Sequence, residues 1–170
     1  MKGSPRRIIK AVACTICAAM GDAPRLEKPK IKELYLSSNV VKQELSSIGG
    51  MIFMYPCLLD AGQQYRYTDD EGWKAVDDYI YKVFKWPKSI SSFRDCDFYA
   101  FLYKSLVESY FGLNITAWAG GVIPEGGHAF NLRRSETGWW VKEPSPAFSY
   151  HKKPFRVRDE RGYNPQYILL

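Results

Sequence analysis

Ahead of Gly112 the apolar residues of this chain recur at helical spacing, and behind it they alternate. That change of period limits the fold to helices followed by antiparallel strands. On the helical side, Phe98, Phe101, Leu102, Ser105, Leu106 and Ser109 form one face over residues 95–110, with Asp95 as an N-cap and Gly112 as the stop. An earlier helix opens at Thr68-Asp69-Asp70-Glu71. It carries Trp73, Val76, Ile80, Val83 and Phe84 on one side and must end before Trp86-Pro87. Beyond Gly112, Ile115–Ile123 reads as a strand. Pro-Glu-Gly-Gly at 124–127 reads as a turn, and His128–Leu132 as a second strand. Ser135–Gly138 is another turn, and Trp139–Glu143 a third strand ended by Pro144. The class is α+β, and 170 residues suit one domain. A chain of that size buries about two-thirds of its unfolded surface, so it needs neither disulfides nor metal to hold a core.

The flanks read differently. Residues 1–50 form a basic arm and linker, residues 51–150 the domain, and residues 151–170 an extended basic tail. Within the arm, residues 1–23 have a basic start, an apolar stretch from Ala11 to Met20 and small residues after it, the outline of a secretory signal. A virion or secreted location follows if that segment is a signal, and the cytoplasm otherwise. No apolar stretch is long enough to span a membrane. Met51–Tyr55 reads as a buried extended segment halted by Pro56. The net charge of +6 gathers at the two ends, and no groove-reading motif accompanies it. Solvated arms are therefore expected rather than nucleic-acid binding. Cys14 and Cys17 form a lone CxxC without the second ligand pair that zinc needs.

Chemistry-bearing residues are few, since only His128 and His151 could serve as imidazole bases. Cys96 falls at the start of the second helix, where unpaired N–H groups and the helix dipole favour a thiolate. His128 opens a strand after a glycine turn, and Glu143 ends the neighbouring strand. Taken singly, each has a structural explanation: a small buried thiol, a strand histidine, a solvated strand end. Their order is more specific. Cysteine at a helix start, histidine on a strand and an acid on the next strand is how papain-like and transglutaminase-like cores assemble a nucleophile, a base and an orienting carboxylate. An oxyanion donor would come from the Cys96 backbone N–H or from Gln63, Gln64 or Trp86.

Three blocks, Arg94–Ala100 (RDCDFYA), Gly127–Asn131 (GHAFN) and Trp140–Pro144 (WVKEP), resemble the cysteine-protease domain attached to fungal agglutinins of the Marasmius type, which also occurs in phage proteins. The resemblance covers roughly residues 70–145. It implies Cys96 as nucleophile, His128 as base, Glu143 as orienting acid and Asn131 at the family's polar position. Two departures are plain. The family's second acid after the cysteine is Phe98 here, which bears on calcium, the one cofactor the resemblance would allow. The sugar-binding β-trefoil is absent, since the sequence has no threefold repeat.

The expected function is a cysteine peptidase or related thiol acyl-transfer hydrolase acting on a peptide or protein substrate. The alternative is a non-enzymatic phage virion or tail accessory component on an inherited papain-like scaffold. Its two basic arms would contact neighbouring subunits.

Overall fold

The computed structural model describes residues 26–53, 63–84, 86, 96–159 and 161–170. The signal-like segment at 1–23, the Cys14–Cys17 pair, Cys57, Pro56 and the Asp95 cap lie outside them.

The first elements are β1 (Leu34–Ser37) and helix α1 (Ser38–Ile48). Ser37 caps α1 by accepting a bond from the Val40 N–H, and Val41, Leu45 and Ile48 turn one stripe into the core. Strand β2 (Met51–Phe53) follows, then β3 (Gln64–Tyr67), which pairs antiparallel with β1 as a separate ribbon. Helix α2 (Asp70–Val83) starts where Asp69 accepts the Gly72 N–H at 2.7 Å, with Asp70 and Glu71 in its first turn. Its buried stripe of Trp73, Val76, Ile80 and Val83 faces the core, and the Trp73 indole donates to the Arg134 carbonyl at 2.8 Å. Helix α3 (Cys96–Phe111) buries Phe98, Tyr99, Leu102, Tyr103, Leu106 and Val107. It stops at Gly112, whose φ of 66° is the left-handed conformation that glycine adopts without cost.

The remaining strands are β4 (Ala117–Ile123), β5 (Gly126–Ser135), β6 (Gly138–Lys142), β7 (Phe155–Arg156) and β8 (Asn164–Leu169). With β2 they form a six-stranded sheet in the order β2-β8-β4-β5-β6-β7. Two tight hairpins, Ile123↔Gly126 and Ser135↔Gly138, set the register of its middle. The β2–β8 pair is parallel and the others are antiparallel.

This sheet corrects the expected papain-like or transglutaminase-like core, in which a helix packs on a small antiparallel sheet. The sheet is larger and mixed. Its parallel pair is made by β8, which comes from the segment read as an extended tail and inserts between β2 and β4. The physical reason is local. Pro165 cannot donate to a ladder, but it sits opposite Gly121 where the β4–β8 register shifts, so the missing N–H falls at the irregularity. Gly121 is needed there as well, because a Cβ would lie 2.1 Å from the Asn164 carbonyl oxygen. Residues 34–48, read as linker, contribute β1 and α1 instead. Among the described residues no helix is long and apolar enough to cross a membrane.

Candidate functional site

The β5–β6 register decides which residues meet. Asn131 lies opposite Lys142, so the next position, Glu143, falls opposite Phe130 and diagonal to His128. Diagonal neighbours on one face are within reach of long side chains. His128 Nε2 and Glu143 Oε2 lie 2.6 Å apart, both side chains buried. Strand alternation sends the adjacent Lys142 the other way, to Asp77 of α2 at 2.8 Å.

Glu143 is fully buried and fully engaged. Its Oε2 also accepts the Tyr163 hydroxyl at 3.0 Å, and its Oε1 accepts the Ser145 backbone N–H at 2.7 Å. Three donors on one carboxylate meet the condition for burying a charge. His128 Nδ1 is buried and makes no fixed hydrogen bond. The Cys96 thiol is the second group that acts on the ring. Burial opposes protonation of His128. Glu143 and the neighbouring Cys96 outweigh it and push the pKa up to about 9, so the imidazole is a cation at neutral pH. Cys96 is the first residue of α3, free and half-buried. The three residues singled out from the sequence are thus brought together.

The second histidine has another fate. Burial first, then Lys152 and Lys142, push His151 down to about 4. Its ring rests edge-on against Tyr81 at 5.5 Å, and its backbone bridges Glu143. It is neutral at pH 7. Of the oxyanion candidates, Trp86 is committed, since its indole N–H donates to the Pro144 carbonyl at 2.9 Å. Gln64 sits in the β1–β3 ribbon opposite Ser37, and the Gln63 carbonyl accepts the Ser38 N–H. The Cys96 N–H lies at the first described residue of α3, in the helix's opening turn. Asn131 is buried and donates to the Ala100 and Ala117 carbonyls, tying β5 to α3 and β4 rather than facing a ligand. Phe98 is in the core. Among the described residues no group of three or more His, Cys, Asp or Glu is placed to hold a metal ion.

Sequence reasoning missed Tyr163 and Phe148. Tyr163 follows Gly162, whose φ is 73°, and its hydroxyl is held un-ionised by burial and by Glu143. Phe148 lays its ring over His128 with centroids 3.9 Å apart. Both come from segments without a periodic signal. Beside them lies a cavity of about 440 Å³ lined by Pro124, Glu125, Phe148, Tyr150, Arg161 and Tyr163, among others.

On the other side of β6, Asp77 accepts from Arg133 and Lys142, both at 2.8 Å, and from Tyr103 at 2.6 Å. Burial would raise the Asp77 pKa, but the two cations hold it below the usual carboxylate range.

No protein-family model matches the sequence, and no curated protein matches it. Solved structures do. One is described as a complex of PSL1a with E64 (TM-score 0.59, 14% identity, 81% of this chain and 51% of that one). Another is Polyporus squamosus lectin bound to the human-type influenza-binding epitope Neu5Aca2-6Galb1-4GlcNAc (TM-score 0.57, 16% identity, 81% of this chain and 50% of that one). The chain spans about half the length of each. The likeness establishes a fold shared with part of a fungal lectin. It corrects the expectation of a cysteine peptidase or thiol hydrolase and that of a phage virion component. The second of these structures is described as a lectin, and at 14–16% identity the likeness is one of fold.

Proposed function

We propose that this chain is a ligand-binding module centred on Cys96, His128 and Glu143, which captures an electrophilic ligand on the Cys96 thiol. The observation that carries this reading is the buried 2.6 Å contact between His128 and Glu143, with Cys96 as the other group acting on the ring. Glu143 fixes the imidazole's orientation and stabilises its cation. The cation in turn stabilises a Cys96 thiolate, helped by the N-terminus of α3. With an epoxide, the sulfur forms an S–C bond, the ring C–O bond breaks, and the imidazolium proton passes to the departing oxygen. The E64 complex of PSL1a supports the choice of an epoxide as probe.

The test is site-resolved mass spectrometry of Cys96 after exposure to iodoacetamide across pH, and to E64, comparing wild type with His128→Ala. Fast labelling well below the free-thiol pKa of about 8.5, lost in the variant, is expected. Slow labelling of Cys96 in both proteins, with native circular dichroism, would sink the reading.

A second reading, carbohydrate binding without thiol chemistry, is favoured by the lectin matches. Titration of the sialylated trisaccharide into Cys96→Ala decides it. Saturable binding supports it, and a flat titration removes it.

A further inference from the structure

The cavity beside His128 has walls of two kinds. Phe148, Tyr150 and Tyr163 present aromatic rings, and Glu125 and Arg161 bring opposite charges. The charges are not equivalent. Arg161 is already committed, ion-paired with Asp159 and lying over the Tyr150 and Phe155 rings at 5.1 and 4.8 Å. Glu125, in the β4–β5 turn, is exposed and makes no hydrogen bond or ion pair with the described residues. The field open to a newcomer is therefore that of a carboxylate and ring faces, both of which attract cations. The same aromatic wall already takes the Arg161 guanidinium.

We propose that this cavity receives the cationic end group, a guanidinium or an ammonium, of the ligand that meets Cys96. The position of the ligand's other end rests on the thiol-site reading; the cation preference does not. Phe148 joins the two places, since its ring lines the cavity and packs on His128 at 3.9 Å between centroids. A ligand anchored there by its cation would run past Phe148 toward the Cys96–His128 pair. The volume of about 440 Å³ lies in the range of small-molecule sites and exceeds what one such head group fills. A neutral sugar could stack on the same rings but would leave Glu125 without a counter-charge.

The experiment is titration of agmatine, which carries a guanidinium and an amine, into the full chain bearing Cys96→Ala, followed by calorimetry and by amide shifts. Removing the thiol separates the two proposals, because agmatine has no electrophilic carbon. Saturable binding is expected, with shifts at residues 124–127 and 147–150, weakened about tenfold by Glu125→Gln and also by added salt. Glu125 is exposed, so the substitution leaves the fold intact. Saturable binding alongside an unreactive wild-type Cys96 would keep the cavity's assignment and remove the thiol site. The assignment is overturned by no saturation up to roughly 10 mM. It is equally overturned by affinity unchanged in Glu125→Gln, or by the sialylated trisaccharide shifting the same residues while agmatine does not.

Discussion

Replacing Asp77 by Asn separates charge from shape in the cluster behind β6. The new side chain keeps an oxygen for the Tyr103 hydroxyl and the volume of the old one, and removes only the negative charge. Arg133 is then a buried cation with no anion, and Lys142 loses the carboxylate that favours its protonated form. At an effective dielectric of about 20, each cation at 2.8 Å contributes roughly 6 kcal/mol of attraction, most of it offset by desolvation. Breaking such a buried cluster by removing one partner costs about 3–5 kcal/mol, a large part of a domain's whole stability of about 5–15 kcal/mol. Urea unfolding followed by tryptophan fluorescence measures it, and Trp73 is a local reporter because Arg133 lies over its ring at 4.9 Å. Lys142→Met supplies the contrast. It removes the surplus cation and leaves the Arg133–Asp77 pair neutral, so stability at pH 7 should hold or rise. Burial, with Arg133 adding to it, keeps Lys142 down at about 8 despite Asp77. A lysine depressed from 10.5 to about 8 sheds its proton on folding within that window, so the unfolded chain binds more protons and stability rises with pH there. Lys142→Met should lose that rise. An Asp77→Asn cost below 1 kcal/mol, or a Lys142→Met cost equal to it, would refute the charge count.

Two further outcomes follow from the site and the sheet. Glu143→Gln should lower the His128 pKa from about 9 by at least one unit in an NMR titration. In the wild type the raised value stabilises the fold fully below pH 6.5, and the contribution, about 3 kcal/mol at most, is lost as pH climbs to about 9. A flat pH–stability curve over that range, once Lys142 is replaced by Met, would contradict this. Gly121→Ala should cost about 1–3 kcal/mol in urea unfolding, because its Cβ would meet the Asn164 carbonyl oxygen at 2.1 Å and backbone must move; a change within 0.5 kcal/mol would mean the β4–β8 irregularity is soft.

Helices α2 and α3 and both hairpins were legible because each has its own local code. Trp73, Val76, Ile80 and Val83 repeat at 3.6 residues, and glycine-containing turns interrupt alternating runs at 124–127 and 135–138. The cluster of Cys96, His128 and Glu143 could be guessed from its placement on those elements. Their contact depends on the diagonal register of β5 and β6, which the hairpin turn sets. Strand β8 was hidden by Pro165, whose tolerance depends on a register shift against Gly120 and Gly121 of β4, more than forty residues away. Helix α1 was hidden by the basic run before it, although Ser37 was available as its cap. Tyr163 and Phe148 were not legible, because no short-range pattern tells which aromatic in an irregular segment will fold back on a distant histidine. The larger sheet, and with it the likeness to lectin structures, depended on these long-range placements.

Strand β8 also sets an order of events. Residues 164–169 lie between β2 and β4, so a chain emerging from the ribosome carries β2 and the β4–β7 strands as two pieces with a gap. Pairing Met51–Phe53 with Tyr167–Leu169 joins residues 116 apart in sequence, the kind of contact that forms late and slowly. Until it forms, β4 offers an open edge on which another nascent chain could pair. Removing residues 164–169 would do more than take away a strand. It would reopen that gap in the finished protein and hand the same edge to proteases and to aggregation.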